Sequence, residues 1–150
     1  MHVAATAIFV LTGCAYRAGS FDSMNQDFVG TRASAGCLDL AIERRADLDR
    51  GPVVAYAFGN RCDVPALVDL AGATVVARTS DDAIQRLTPF DPRQEIVARE
   101  IDARAVGGEA IAYEASGSPR ELCVDAASIA GLAGTSWLCF GAQPHTEDPR

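Results

Sequence analysis

From residue 37 onward the sequence consists of short apolar stretches separated by turn-forming residues. In Leu38–Ile42 every second residue is a large aliphatic one, which is the period of a strand with one buried face. The stretch 52–60 is rich in β-branched and aromatic residues and has a proline at its beginning, where a strand tolerates one. Seven or eight such strands at near-regular spacing predict an all-β fold, an antiparallel β-sandwich over residues 36–141. The further predicted strands cover residues 65–70, 73–79, 83–90, 109–115, 120–126 and 136–141.

Two stretches of the sequence do not decide between strand and helix or loop, and the C-terminal residues show no periodic apolar pattern. Residues 95–106 suit a strand, but Ile96, Ile101 and Ala105 would also share one face of a helix. Residues 126–134 could hold a helical turn, although their small side chains favour a loop. Residues 142–150 are polar, contain two prolines and are predicted to be disordered.

The N-terminus differs in character from the rest of the chain. An apolar run, Val3–Leu11, is about half as long as the ~20 residues that span a bilayer. A resemblance to the lipobox of bacterial lipoproteins lies in the tetrapeptide Leu11-Thr12-Gly13-Cys14 that ends this segment. The resemblance implies a signal peptide over residues 1–13, cleavage before Cys14, and acyl chains on Cys14 that anchor the protein in a membrane.

The segment departs from the lipoprotein pattern at its beginning. A lipoprotein signal normally opens with a basic residue, whereas only Met1 and His2 precede the apolar run here. A basic segment could lie upstream of this start, and the alternative is that the run is a first β-strand ending at Gly13-Cys14. Residues 14–35 contain Gly, Ser, Asn and Gln, which predicts a flexible tether. The expected location is the bacterial cell envelope, facing the periplasm or the cell surface.

One cysteine lies in the N-terminal segment, and the others lie in the predicted sandwich. Once Cys14 is assigned to the lipid, four of the five cysteines remain: Cys37, Cys62, Cys123 and Cys139. An even number in an exported chain predicts two disulfides, and four cysteines allow three connectivities. Zinc is disfavoured because the successive spacings of 25, 61 and 16 residues include no close pair of ligands.

Local patterning favours the pairs Cys37–Cys62 and Cys123–Cys139. A hairpin turn at Asp49-Arg50 brings Cys37 near Cys62. Pairing the apolar faces of its two strands, Leu40 with Phe58, sets Cys37 opposite the residue before Cys62, so a one-residue bulge next to Cys62 is expected. The second pair flanks a loop that contains two glycines.

One further resemblance lies in the stretch Gly59–Pro65, of sequence GNRCDVP. A strand that runs into such a stretch and is followed by another apolar strand resembles bacterial immunoglobulin-like domains. The resemblance covers about residues 37–90 and implies an immunoglobulin-like sandwich. It is not an antibody-type domain, because the sole tryptophan, Trp137, lies outside the Cys…Trp…Cys spacing.

Few residues suit catalysis or a metal. The two histidines are His2, in the predicted signal peptide, and His145, in the polar tail. No nucleophile elbow, P-loop or dinucleotide-binding motif is present. The stretch Asp47–Gly51 lacks the ligands of an EF-hand, so its acids and Asp81-Asp82 are predicted to be turn residues, with a weak calcium site as the alternative. The formal net charge of −7 argues against a nucleic-acid partner.

These observations predict a lipid-anchored envelope protein that acts as a non-catalytic binding, scaffolding or accessory module. It has no catalytic residue, metal ligand or cofactor, it meets the membrane through Cys14, and another envelope protein is its expected partner. Two alternatives are an envelope hydrolase with paired carboxylates and a small lipoprotein inhibitor of a protease or lysozyme.

Overall fold

The computed structural model describes residues 15–18, 21, 31–90, 96–117 and 119–141. These residues form antiparallel strands and a short 3-10 turn at Ala126–Ser128. The strands are β1 (Thr31–Ala35), β2 (Leu38–Leu48), β3 (Gly51–Asn60), β4 (Ala66–Val68), β5 (Thr74–Arg78), β6 (Ile84–Arg86), β7 (Thr88–Pro89), β8 (Arg99–Ile101), β9 (Val106–Glu114), β10 (Glu121–Asp125) and β11 (Trp137–Gly141).

The strands form two main sheets and one small sheet. The first main sheet has five strands in the order β1-β2-β3-β9-β7, and the second has four in the order β11-β10-β5-β6. The small sheet pairs β4 with β8. All of these pairings are antiparallel, as predicted for a sandwich built from short consecutive strands.

The core lies between the two main sheets. Alternate residues of each strand face inward, so that one face of each sheet is removed from water. The first sheet contributes Leu40, Ile42, Val54, Tyr56, Phe58 and Ile111 to this cluster, and the second contributes Val75, Ala77, Leu122, Val124 and Leu138. The predicted all-β antiparallel sandwich is therefore confirmed, while the immunoglobulin-like topology stays a prediction.

The described residues contain more strands than the seven or eight predicted, because β1 and β8 are added and one predicted strand is divided. Leu87 is buried, and its amide donates to the carbonyl of Val75. The residues before Leu87 pair with β5 in one main sheet, and those after it pair with β9 in the other. The stretch 83–90 thus crosses from one sheet to the other and contributes an edge strand to each.

The β2–β3 hairpin forms in the predicted register. Its turn lies at Asp49-Arg50, and Leu40 pairs with Phe58. The bulge expected next to Cys62 is absent there; the register shifts instead between Arg44 and Ala46, where the buried pattern of β2 ends. The amide of Arg61 donates to the carbonyl of Cys37 at 2.8 Å, so the predicted register continues to this pair of residues. The Cα atoms of Cys37 and Cys62 are still only 5.4 Å apart, so the disulfide forms without a bulge.

Within the described part, the first ambiguous stretch contains a strand and the second contains a short 3-10 turn. Residues 99–101 form β8 and pair with β4, so the helical alternative for this stretch is wrong. Arg104 adopts a φ of 58°, which reverses the chain before β9 begins at Val106. Residues 126–134 form the short 3-10 turn followed by a loop, as the small residues predicted.

The predicted tether is shorter than expected. Residues 31–35, which the sequence assigned to it, form β1 and pair with β2 along their whole length. Tyr16 and Phe21 are buried against the first main sheet. The predicted signal peptide, the lipobox, Cys14 and the tail 142–150 lie outside the described residues. Within the described part, no helix is long and apolar enough to cross a membrane.

Candidate functional site

The outer face of the first main sheet holds the N-terminal segment. The ring of Tyr16 packs with Phe21 against Ala41 and Ala57, which point away from the core. A Cβ on Gly59 would overlap the Tyr16 ring, so the absence of a side chain at Gly59 makes the space for it. The ring centroids of Tyr16 and Phe21 are 5.7 Å apart. Two aromatic rings thus attach the segment to the sheet.

A buried carboxylate fixes the phenol of Tyr16. The hydroxyl of Tyr16 donates to Oδ2 of Asp39 at 2.9 Å. The other carboxylate oxygen accepts from Oγ of Ser34 at 2.7 Å and from Nε of Arg61 at 3.0 Å. Asp39 is only 6% exposed, and a charge at that depth requires such partners. Both carboxylate oxygens of Asp39 are therefore hydrogen-bonded, and the carboxylate fixes the position of the Tyr16 ring.

Backbone hydrogen bonds connect this segment to the Cys37–Cys62 disulfide. The amide of Tyr16 donates to the carbonyl of Arg104 at 2.5 Å, and the amide of Arg104 donates to the carbonyl of Cys62 at 3.1 Å. The guanidinium of Arg104 also pairs with Asp63 at 2.8 Å. This contact lowers the pKa of the Asp63 carboxyl and raises that of Arg104. Tyr16 therefore lies at the end of the sandwich that carries this disulfide.

An apolar depression of about 510 Å³ opens at the same end. Val64 and Leu67 border it and are 62% and 59% exposed. Exposed aliphatic side chains around one depression make it a candidate surface for contact with another molecule. The residues that line the depression are Ala35, Gly36, Cys37, Leu38, Cys62, Val64, Pro65, Ala66, Leu67, Gly131 and Ala133.

Asn60 holds the rim of this depression in place. It is completely buried, and its side-chain NH2 donates to the carbonyls of Val64 at 2.8 Å and Ile101 at 3.0 Å. Its side-chain oxygen accepts from the amide of Cys62 at 2.9 Å. These hydrogen bonds hold the chain after β3 in a fixed conformation, although it forms no regular secondary structure there. No role for Asn60 was predicted from the sequence, although it lies in the stretch Gly59–Pro65, between a strand and a turn that contains a cysteine.

The opposite wall of the depression comes from the loop before β11. Gly131 has a φ of +93°, a conformation that side-chain-bearing residues rarely adopt. A Cβ on Gly131 would also lie 2.8 Å from the carbonyl oxygen of Leu67. A glycine is needed at this position for two reasons, and it lets the loop approach β4 closely.

Both favoured cysteine pairs lie within bonding distance. The Cα atoms of Cys37 and Cys62 are 5.4 Å apart, and those of Cys123 and Cys139 are 4.0 Å apart. The second pair joins β10 to β11 across directly paired positions. Together with Glu121 it forms the one group of potential metal ligands found among the described residues. Both sulfurs of that group are used in the disulfide and do not act as thiolate ligands.

The acids proposed as turn residues are paired within the protein. Asp47 forms an ion pair with Arg44 at 2.6 Å, and Asp82 forms one with Arg120 at 2.7 Å. The carboxylate of Asp81 accepts a hydrogen bond from the hydroxyl of Thr79, and this bond lowers the pKa of Asp81. These contacts account for the three side chains without a bound cation.

The carboxylates with little exposure do not form a catalytic pair. Asp39 faces Arg61, as described above. Glu43 pairs with Arg45 at 2.8 Å, and Glu109 pairs with Arg99 at 3.2 Å. Glycoside hydrolysis requires two carboxyl groups facing the same bond. In the described part each of these three acids faces an arginine instead. His145 lies outside the described residues.

A buried tyrosine pair lies in the core, away from the depression. The hydroxyls of Tyr56 and Tyr113 are 2.8 Å apart. Burial raises the pKa of Tyr113 to about 12 and raises that of Tyr56 well above its usual value of 10.0. Each phenol satisfies the other in a region that water does not reach, which is a structural role.

Comparisons with known proteins yield one solved structure. No family model matches the sequence, and no curated protein matches it. The crystal structure of the YjhA protein from Bacillus subtilis is similar, with a TM-score of 0.44 and 11% sequence identity. The match covers 64% of this chain and 78% of that chain.

Proposed function

We propose that this protein is a lipid-anchored protein of the bacterial cell envelope that serves as a non-catalytic binding, scaffolding or accessory module. In this proposal its sandwich is immunoglobulin-like, and its partner is another envelope protein. The observation that carries the proposal is the position of Tyr16, two residues after Cys14, packed on a disulfide-containing sandwich. A lipid on Cys14 would be attached directly to this domain.

The two disulfides support the compartment. Disulfides persist in oxidising environments such as the periplasm and the cell surface, and they are rare in the cytosol. The Cys37–Cys62 pair links residues 25 positions apart, and the Cys123–Cys139 pair links residues 16 positions apart. An export signal before Cys14 and two intrachain disulfides after it are mutually consistent.

The character of the described surface supports binding over hydrolysis. The depression beside Cys37–Cys62 is apolar and bordered by exposed aliphatic side chains. The carboxylates with little exposure face arginines, so they do not offer the acid and base that a hydrolase would need. No observation on the described residues favours the protease or lysozyme inhibitor.

The intact mass of the protein extracted from membranes tests the proposal. We expect loss of residues 1–13, added acyl mass on Cys14, and four cysteines that react with alkylating reagent only after reduction. Globomycin, which blocks the lipoprotein signal peptidase, should cause the unprocessed form to accumulate.

Cys14→Ser is the matched control, because it removes the acylated sulfur and leaves the four disulfide cysteines in place. This variant should leave the membrane fraction and lose all acyl mass. A wild-type chain that keeps residues 1–13, carries no acyl group and has reduced thiols would refute the proposal.

A further inference from the structure

We propose that the end of the sandwich bearing the Cys37–Cys62 disulfide rests on the lipid surface, with Val64 and Leu67 in contact with the bilayer interface. This inference rests on the proposed function, because it takes Cys14 to be the acylated residue. It adds an orientation and a second membrane contact, made by the folded domain itself. The occupant of the apolar depression is then lipid.

The first argument is the length of chain between the anchor and the domain. Residues that are two positions apart are separated by at most about 7 Å when the chain is fully extended. The Cα of Tyr16 is therefore held within about that distance of the Cα of Cys14. A free tether from Cys14 to Thr31, the first residue of β1, would instead reach up to about 60 Å. Docking of Tyr16 removes nearly all of this reach.

The second argument is where the docked segment lies. The backbone of Tyr16 is hydrogen-bonded to that of Arg104, which is in turn hydrogen-bonded to the backbone of Cys62. The disulfide of Cys62 borders the apolar depression. Val64 follows Cys62 by two residues and is more exposed than most aliphatic side chains of the described part. An anchor at Cys14 therefore brings this end of the domain to the membrane. The β2–β3 turn lies at the other end, because β2 spans eleven residues, or about 30 Å.

The third argument is the chemistry of the surface. The protein carries a formal net charge of −7, which disfavours contact with anionic headgroups. At this end, however, Asp39 is neutralised by Arg61, and Asp63 is neutralised by Arg104. Glu100 is exposed and pairs across the strands with Leu67, so one acidic group stays beside this contact. The favourable contribution comes from the exposed apolar side chains of Val64 and Leu67, which can enter the interface as those of interfacial segments do.

Quenching of tryptophan fluorescence by brominated lipid tests this orientation. Trp137 is the sole tryptophan, so Trp137→Phe gives a background in which one new tryptophan reports one position. Val64→Trp places the probe on the proposed contact. Leu48→Trp is the matched control, because Leu48 is 51% exposed and lies at the other end of β2. Leu67→Trp gives an independent measurement if Val64→Trp does not fold.

The acylated full chain is reconstituted in vesicles of phosphatidylethanolamine and phosphatidylglycerol whose acyl chains carry bromine. We expect quenching several-fold stronger at position 64 than at position 48. Adding Gly59→Ala, which displaces Tyr16 from the sheet, should reduce quenching at position 64 to the level at position 48. Mass spectrometry of the same samples reports whether Cys14 carries its acyl chains.

Equal quenching at the two positions in acylated, vesicle-bound protein would overturn the orientation and leave the lipid anchor standing. That result would mean either that the depression binds a protein partner or that the domain hangs on a flexible tether instead of resting on the membrane. Strong quenching at position 64 that survives Gly59→Ala would also overturn the inference, because docking would not be its cause. A chain without acyl groups would overturn both the anchor and the orientation.

Discussion

Replacing Tyr16 with alanine should release the N-terminal segment while the sandwich stays folded. An aromatic side chain buries about 150–250 Å², and at about 25 cal/mol per Å² this burial contributes about 4–6 kcal/mol. Ordering the four residues 15–18 opposes it by about 1 kcal/mol or slightly more per residue. The difference favours the docked state by up to about 2 kcal/mol, which corresponds to a population ratio of up to roughly 30.

The assay is tryptic cleavage after Arg17, an exposed residue next to the buried Tyr16. A protease acts on the undocked segment, so the cleavage rate follows the undocked population when docking is fast. In a Cys14→Ser background, Tyr16→Ala should raise the rate by up to about 30-fold, as followed by mass spectrometry. Gly59→Ala should give a similar increase, because its methyl group takes the place of the ring.

Tyr16→Phe separates the ring from its hydroxyl. It keeps the packing and loses the hydrogen bond to Asp39, which typically contributes about 1.5–3 kcal/mol when one partner is charged. We therefore expect increased cleavage in this variant as well. Equal cleavage rates in wild type, Tyr16→Ala and Gly59→Ala would refute the reasoning, because they would mean that the docked segment does not protect Arg17.

Three further predictions concern the sandwich itself. Replacing both Cys123 and Cys139 with serine should cost about 3 kcal/mol for a loop of this length, and calorimetry should show a melting temperature lower by about 6–12 °C; an unchanged value would mean that the bond does not constrain the unfolded chain. Asn60→Leu leaves buried carbonyls unpaired and should cost about 1–3 kcal/mol in urea unfolding, and a neutral result would contradict the role assigned to its hydrogen bonds. Because the pKa of Tyr113 is raised to about 12, its contribution to stability should be constant below pH 10 and should be lost between pH 10 and 12, where the unfolded state releases phenolic protons that the folded state keeps. A double Phe variant at Tyr56 and Tyr113 should lose this slope, and a slope that persisted would have another origin.

Local sequence was sufficient for the strands that carry their own signals. The alternation in Leu38–Ile42 and the turn at Asp49-Arg50 predicted the β2–β3 hairpin, and its register followed from matching apolar faces. The favoured cysteine pairs followed from the same reasoning, since a hairpin brings its two ends together. These features depend on neighbours in sequence, which is why they could be predicted.

The candidate site was not predicted, because it depends on contacts between distant segments. Tyr16 had no periodic pattern around it, and only the space above Gly59 and the carboxylate of Asp39 give it a place on the sheet. The loop containing Gly131 meets β4 across more than 60 positions of sequence. Neither segment contains a pattern of residues from which its contact with the other could be predicted.

The sequence by itself determined the class of fold and the hairpin pairing, and it predicted both cysteine pairs that lie within bonding distance. Strand period, turn residues and cysteine parity are local or countable properties of a chain. The tertiary structure decided that residues 15–18 are packed on the domain and that the predicted tether ends before β1. It also decided that Tyr16 lies at the end of the sandwich that carries the Cys37–Cys62 disulfide, because burial and hydrogen bonding between remote segments exist only once the sheets have stacked.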